Sequence, residues 1–220
     1  VVVEGEEATE DYMVPIVLTP AENNGGTYEE YVVPSDGDDT IVAGRLELLH
    51  QAYIDAGGGY DILEVDAKGI FAQPLQLLNI EEVRIENLNN AYTIRQDDGN
   101  TYPELPDNSS GNSLANSIVD LSRATSIEHL VITEGDYQGV DQDGDKDAVE
   151  VQLGELTVVG IRNGAKTLLD GGFSQDVTLH YSAFQGNGVD LVFNNVDFQP
   201  DTILNVAHNA DTLNIESIGG

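Results

Sequence analysis

Apolar and polar residues alternate along most of this chain. The stretches "EEVRIENL", "SIEHLVITEG", "AVEVQLGELTVVGI", "QDVTLHYSAF", "VDLVFNNVDF" and "DTLNIESI" follow this pattern, and Gly, Asn and Asp separate them. Successive side chains of a strand point to opposite faces, so the pattern predicts short, half-buried strands joined by turns. Helical spacing is rare. Its best example is "IVAGRLELLHQAYIDAG", which sets Leu46, Leu49, Ala52 and Tyr53 on one side of a helix that the following glycines would end.

A looser pattern, apolar-x-x-apolar-x-apolar, recurs as Ile80, Val83 and Ile85; Ile127, Leu130 and Ile132; Leu153, Leu156 and Val158; and Ala210, Leu213 and Ile215. The copies start 47, 26 and 57 residues apart. A coil of roughly 20 to 28 residues fits once into the short interval and twice into each long one, and "DVTLHYSAF" falls where an intermediate coil belongs. The expected fold is therefore mainly β: a β-solenoid or β-helix-like stack of short strands, with irregular loop insertions and one short helix. A sandwich would scatter the triplets. Segments 19–30 and 96–116 lack periodicity and are rich in turn residues, so they read as insertions or linkers.

Composition narrows what such a fold does. The 220 residues are 40% apolar, enough for a sizeable core, yet 40 acidic side chains face 8 basic ones, for a net charge of -32. A nucleic-acid partner needs a basic patch, and an anionic membrane surface repels such a chain. No apolar run approaches the roughly 20 residues of a membrane span, so no membrane insertion is expected. Self-repulsion at this charge opposes compaction unless cations offset it. With no cysteine, thiolate sites and disulfides are excluded, and hard carboxylate oxygens favour calcium.

Two acidic patterns are the expected calcium ligands. "GVDQDGDKDAVEV" puts Asp141, Asp143, Asp145 and Asp147 on alternate positions, with Glu150 close behind. Counted from Asp141, an EF-hand would need Gly and Glu where Lys146 and Gln152 stand, so the loop is of another kind. The second pattern is Gly-x-Asp-x-apolar, in "GDDTI" (Gly37, Asp39, Ile41), "GYDIL" (Gly59, Asp61, Leu63) and "GVDLV" (Gly188, Asp190, Val192). Asp36 and Asp38 flank the first copy, and Gly57 and Gly186 precede the other two at the spacing of a calcium-binding nonapeptide repeat. Ala56 and Gln185 replace the leading glycine, and the copies are not in tandem.

The order "GDDTIVAG", "IDAGGGYDILEVDA", "LLNIEEVRIEN" resembles the opening of the repeat region in bacterial surface-layer and related type-I-secreted, RTX-like calcium-binding proteins. "SIVDLSRATSIEHLVITEG", "DVTLHYSAFQGNGVDLVFNNV" and "DTLNIESIGG" are similar to their later strands, so the likeness spans residues 32 to 220. The resemblance implies an extracellular, cell-surface protein that self-assembles into a surface layer or biofilm-matrix filament. It implies ligands Asp39, Asp61 and Asp190, turns shaped by Gly37, Gly59 and Gly188, and export by an uncleaved C-terminal signal. "VVVEGEEATED" lacks a basic leader, and the last strand stops within a repeat, as in a piece of a longer protein. On this division residues 1–30 are an extended N-terminal segment suited to pair between subunits, and 31–220 are the calcium-binding β-solenoid domain. The expected partners are further copies of the chain and a cell-surface polysaccharide.

Enzymatic signals are weak. His50, His129, His180 and His208 stand singly, without zinc-site spacing, and Ser174, Asp176 and His180 lack a nucleophile elbow. The rivals to a non-enzymatic structural protein are a carbohydrate-active β-helix enzyme, which needs a groove with convergent acids and a base, and a surface adhesin. Arg45, Lys68, Arg84, Arg95, Arg123, Lys146, Arg162 and Lys166 are dispersed along the chain.

Overall fold

A computed structural model describes residues 16–18, 31–32, 36–67, 71–87, 93–97, 100–104, 116–134, 155–173, 175–182 and 188–218. The chain runs through β1 (Ile16–Val17), β2 (Tyr31–Val32), β3 (Thr40–Ala43), a one-turn helix α1 (Leu46–Leu49), β4 (Tyr53–Asp55), β5 (Ile62–Asp66), β6 (Phe71–Ala72), β7 (Gln76–Leu78) and β8 (Glu82–Asn87). An antiparallel hairpin of β9 (Thr93–Asp97) and β10 (Asn100–Glu104) follows. Next come β11 (Ser117–Asp120), β12 (His129–Glu134), β13 (Leu156–Arg162), β14 (Lys166–Phe173) and β15 (Val177–Ser182). The last are β16 (Val189–Phe198), β17 (Leu204–Ala207) and β18 (Leu213–Ile218).

Apart from the hairpin, the strands pair in parallel. The largest sheet has the order β1-β3-β5-β8-β12-β14-β16-β18, which is also the order along the chain. A five-stranded sheet runs β6-β11-β13-β15-β17 and a three-stranded one β2-β4-β7. Parallel neighbours need a crossover between them. Here the crossover supplies strands to the smaller sheets: β4 lies between β3 and β5, and β15 between β14 and β16.

Register stacks like on like. Ile41, Leu63, Val83, Leu130, Thr167, Leu191 and Ile215 form one column across the large sheet, and all but Ile215 are buried. Two residues on, Ala43, Val65, Ile85, Ile132 and Leu169 form a second column. The buried apolar members of both columns belong to one apolar cluster with Val119, Val158 and Leu179 of the five-stranded sheet. Each full-sized member contributes about 1.5–3 kcal/mol by burial. Thr167 is the polar exception, and its Oγ1 accepts a 2.6 Å hydrogen bond from the buried Tyr181 hydroxyl.

All six alternating stretches contain strands. The first two triplets stack residue on residue, with Val83 beside Leu130 and Ile85 beside Ile132. Their 47-residue separation is not two coils, however, because β8 and β12 are direct neighbours and the extra length includes the β9–β10 hairpin. The third triplet belongs elsewhere: Leu156 and Val158 lie on β13 of the five-stranded sheet, and Leu153 is outside the described residues. The fourth is shifted by two, since Ile215 and not Leu213 stands in the Val83 column. The expected long helix shrinks to one turn burying Leu46, Leu48 and Leu49. Its flanks, "TIVA" and "YID", pair in sheets instead, because their β-branched and aromatic residues gain parallel partners there.

Candidate functional site

The first two Gly-x-Asp copies sit on adjacent turns. Ile41 pairs with Leu63, which brings Gly59 onto Gly37 and Asp61 beside Asp39. Gly59 has φ +131, and a Cβ there would lie 2.6 Å from the Gly37 carbonyl carbon and oxygen, so only glycine lets these turns meet. Asp61 precedes Leu63 by two and points inward with it; the residue is 0% exposed. Its Oδ1 accepts the Asp39 N–H at 2.7 Å, and its own N–H donates to Glu81 Oε2 at 2.9 Å. Asp61 Oδ2 is buried and has no hydrogen-bond partner among the described residues.

Burial raises the Asp61 carboxyl above its ordinary range; the Asp39 hydrogen bond opposes this, and the charges of Glu81, Asp39 and Asp38 add to the rise. Asp38 Oδ1 accepts the Tyr60 N–H at 2.7 Å, and Asp36 is exposed.

The third copy is built differently. Leu191 occupies the inward column, so Asp190 lies on the outer face, where Asn214 Nδ2 donates to its Oδ1 at 2.7 Å. Asp170 receives Asn194 Nδ2 at 3.0 Å and Asp55 receives Asn79 Nδ2 at 2.7 Å in the same way. Neutral amides thus meet acids across neighbouring strands, which avoids a like-charge pair at each place. Asp190 does not join Asp39 and Asp61 in a shared site.

Asp141, Asp143, Asp145, Asp147 and Glu150 lie outside the described residues. Among the described residues no three acidic or histidine side chains gather closely enough to hold a metal. Calcium takes about six to eight oxygens, so the turns at Asp39 and Asp61 fall short of a cage of their own.

A second feature escaped the sequence patterns. Glu82, His129, Lys166 and Asp190 occupy one outward column on successive strands, and Arg84, Val131, Leu168 and Val192 form the next. A groove of about 450 Å³ lies here, walled by Tyr60, Glu82, His129 and Lys166, floored by Val131, Leu168 and Val192, and reaching Asn194 and Ile218 at the β18 end. Glu82 accepts the Tyr60 hydroxyl at 2.7 Å and Arg84 Nε at 2.6 Å, while Arg84 Nη1 reaches Glu64 at 3.3 Å. Burial works against the Glu82 charge, yet the hydrogen bonds from Tyr60 and Arg84 outweigh it and hold the carboxyl below its ordinary range. Burial, then the Glu82 hydrogen bond and charge, push the Tyr60 hydroxyl up to about 12.

Compared with protein-family models, curated proteins and solved structures, the chain matches none.

Proposed function

We propose that this chain is a structural, non-enzymatic β-solenoid that stacks end to end into an extracellular surface layer or matrix filament, with calcium as counter-ion. The solenoid reading draws on the large sheet, where each strand is parted from the next by a pass through the smaller sheets. The observation that carries assembly is an open core at β18. Leu191 is 2% exposed, but its register partner Ile215 is 60% exposed, and Leu213 on Val189 is 40% exposed. The inward columns are open at β18, and on this reading a further copy of the chain covers them.

A strand added in parallel beyond β18 keeps the sheet's direction, so the contact is head to tail and does not close on itself. Covering three half-exposed side chains, Leu213, Ile215 and Ile218, contributes on the order of 3 kcal/mol before backbone bonds. That is modest against the cost of association, so assembly depends on concentration. Calcium would be held by Asp141, Asp143, Asp145, Asp147 and Glu150, with Asp39 and Asp61 as partial donors. It would relieve the repulsion of a -32 chain. Export of type I and a place on a bacterial surface belong to the same proposal.

Light scattering and sedimentation over a range of concentrations, in calcium, magnesium and chelator, test it. Particle size should grow with concentration and calcium, and Ile215→Ser, at an exposed position, should stay small with unchanged melting. A chain that remains monomeric throughout refutes the proposal.

A further inference from the structure

We propose that Asn163 is a site of spontaneous modification, converting to aspartate and isoaspartate by main-chain attack at a rate set by the opening of its turn. Asn–Gly pairs stand at 24–25, 163–164 and 187–188 in the sequence. In such a pair no Cβ shields the glycine nitrogen, so it reaches the asparagine side chain with the least hindrance. Asn163, Gly164 and Gly188 lie among the described residues. The turn at 163–164 joins β13 to β14 and is closed by the Ala165 N–H, which donates to the Arg162 carbonyl at 3.1 Å. Gly164 is exposed and has φ +96, a conformation that glycine adopts without strain, so the fold itself keeps a glycine behind Asn163.

The side chain is poorly tethered. Asn163 Oδ1 is buried and has no hydrogen-bond partner among the described residues, whereas Asn79, Asn194 and Asn214 each donate to an acid. The reaction balances with water alone. The Gly164 nitrogen bonds to Asn163 Cγ and gives up its proton, the Cγ–Nδ2 bond breaks, and the amide nitrogen leaves as ammonia with that proton. Water then opens the five-membered imide at one carbonyl, leaving aspartate, or at the other, leaving isoaspartate, whose main chain is longer by one methylene.

One hydrogen bond restrains the attack. The Gly164 N–H donates to the Gly188 carbonyl of the adjacent turn at 3.1 Å, and the nitrogen must leave that carbonyl before it can close on Cγ. Conversion therefore reports local opening between the turns that lead into β14 and β16, which pair side by side. Either product then weakens the corner. Aspartate sets a charged oxygen where Oδ1 is buried without a partner, and isoaspartate lengthens a turn that the Ala165 to Arg162 bond holds tight.

Peptide mapping of the full chain, aged at mildly alkaline pH in chelator with and without denaturing urea, tests this. Cleavage before aspartate releases residues 147–169, in which Asn163 is the only asparagine, and residues 190–196 and 211–220, which carry Asn194 and Asn214. In the folded chain 147–169 should gain one mass unit ahead of the other two fragments, as a mixture of aspartate and isoaspartate. Urea should speed that gain by about tenfold or more, the ratio that loss of one hydrogen bond implies. The converted chain should melt below the parent, and Asn163→Ser should show no gain in the fragment. A folded chain without the gain, earlier conversion of 190–196 or 211–220, aspartate as the sole product, a rate that urea leaves unchanged, a converted chain that melts with the parent, or a gain in Asn163→Ser each overturns the proposal.

Discussion

Replacing Asp61 by Asn isolates the strangest charge in the molecule. Asp61 is fully buried, spends Oδ1 on the Asp39 N–H, leaves Oδ2 without a partner among the described residues, and feels Glu81, Asp39 and Asp38. Asparagine keeps the Oδ1 bond and sets a neutral donor where Oδ2 stood, facing acids. An unsatisfied buried polar group costs about 1–3 kcal/mol, and more when charged. Asp61→Asn should therefore be more stable than the parent by about 1–3 kcal/mol at pH 7 in chelator, a rise in Tm of roughly 2–12 °C for a chain this long.

The pH dependence has a definite sign. The folded-state carboxyl titrates above its unfolded value, so the native state holds the proton more tightly. Parent stability is then unimpaired below the unfolded carboxylate range, falls as pH rises through it, and levels off above the raised value. Subtracting the curve of Asp61→Asn removes the other carboxylates, and the difference should be smallest near pH 3 and widen as pH rises. Urea unfolding followed by circular dichroism from pH 3 to 8 supplies both curves. If calcium binds at Oδ2, adding it should shrink or reverse the gap. An Asp61→Asn chain less stable than the parent at pH 7 in chelator would refute the reasoning, because the charge would then be supporting the fold.

Three further outcomes follow from the packing. Tyr181→Phe should cost about 1–2 kcal/mol by orphaning Thr167 Oγ1; because burial pushes the Tyr181 hydroxyl up to about 12, it should also reduce the loss of stability expected of the parent between about pH 10 and 12, to which Tyr60 contributes as well, seen by alkaline denaturation. Gly59→Ala should destabilise by more than about 3 kcal/mol, since a methyl group would strike the Gly37 backbone and φ is positive, whereas Gly171→Ala, with open space around it, should cost only the φ strain; differential scanning calorimetry separates the two. Leu130→Ala, in the middle of the buried column, should cost about 2–5 kcal/mol in urea unfolding.

Period-two alternation found the strands, because in a parallel stack each strand buries one face and that burial is written into every second residue. It could not say which sheet a strand joins, which is why Leu156 and Val158 looked like the next copy of Leu130 and Ile132. Membership is decided by the crossover, and no residue type announces it. The groove stayed hidden for a related reason. Glu82 and His129 each precede the second apolar residue of a triplet, but Lys166 precedes Thr167, where a buried hydroxyl held by Tyr181 stands in for the apolar side chain. The triplet pattern breaks at that strand, and with it the alignment that would have set Lys166 beside His129. Asp190 shows the opposite error: the same Gly-x-Asp spacing as Asp61, displaced by one residue, sends the carboxylate to the other face.

The amide partners of Asp55, Asp170 and Asp190 bear on how the molecule ages. Asn79, Asn194 and Asn214 are chemically perishable: slow hydrolysis turns asparagine into aspartate or its isomer. At these three places the product would set a second carboxylate 2.7, 3.0 and 2.7 Å from an existing one, turning a hydrogen bond between strands into a repulsion. The residues that follow are Ile80, Asn195 and Ile215, none of them the glycine that lets the cyclic intermediate close quickly. The ladder thus wears slowly, and when it wears, it parts at the joints between strands and leaves the apolar columns for last.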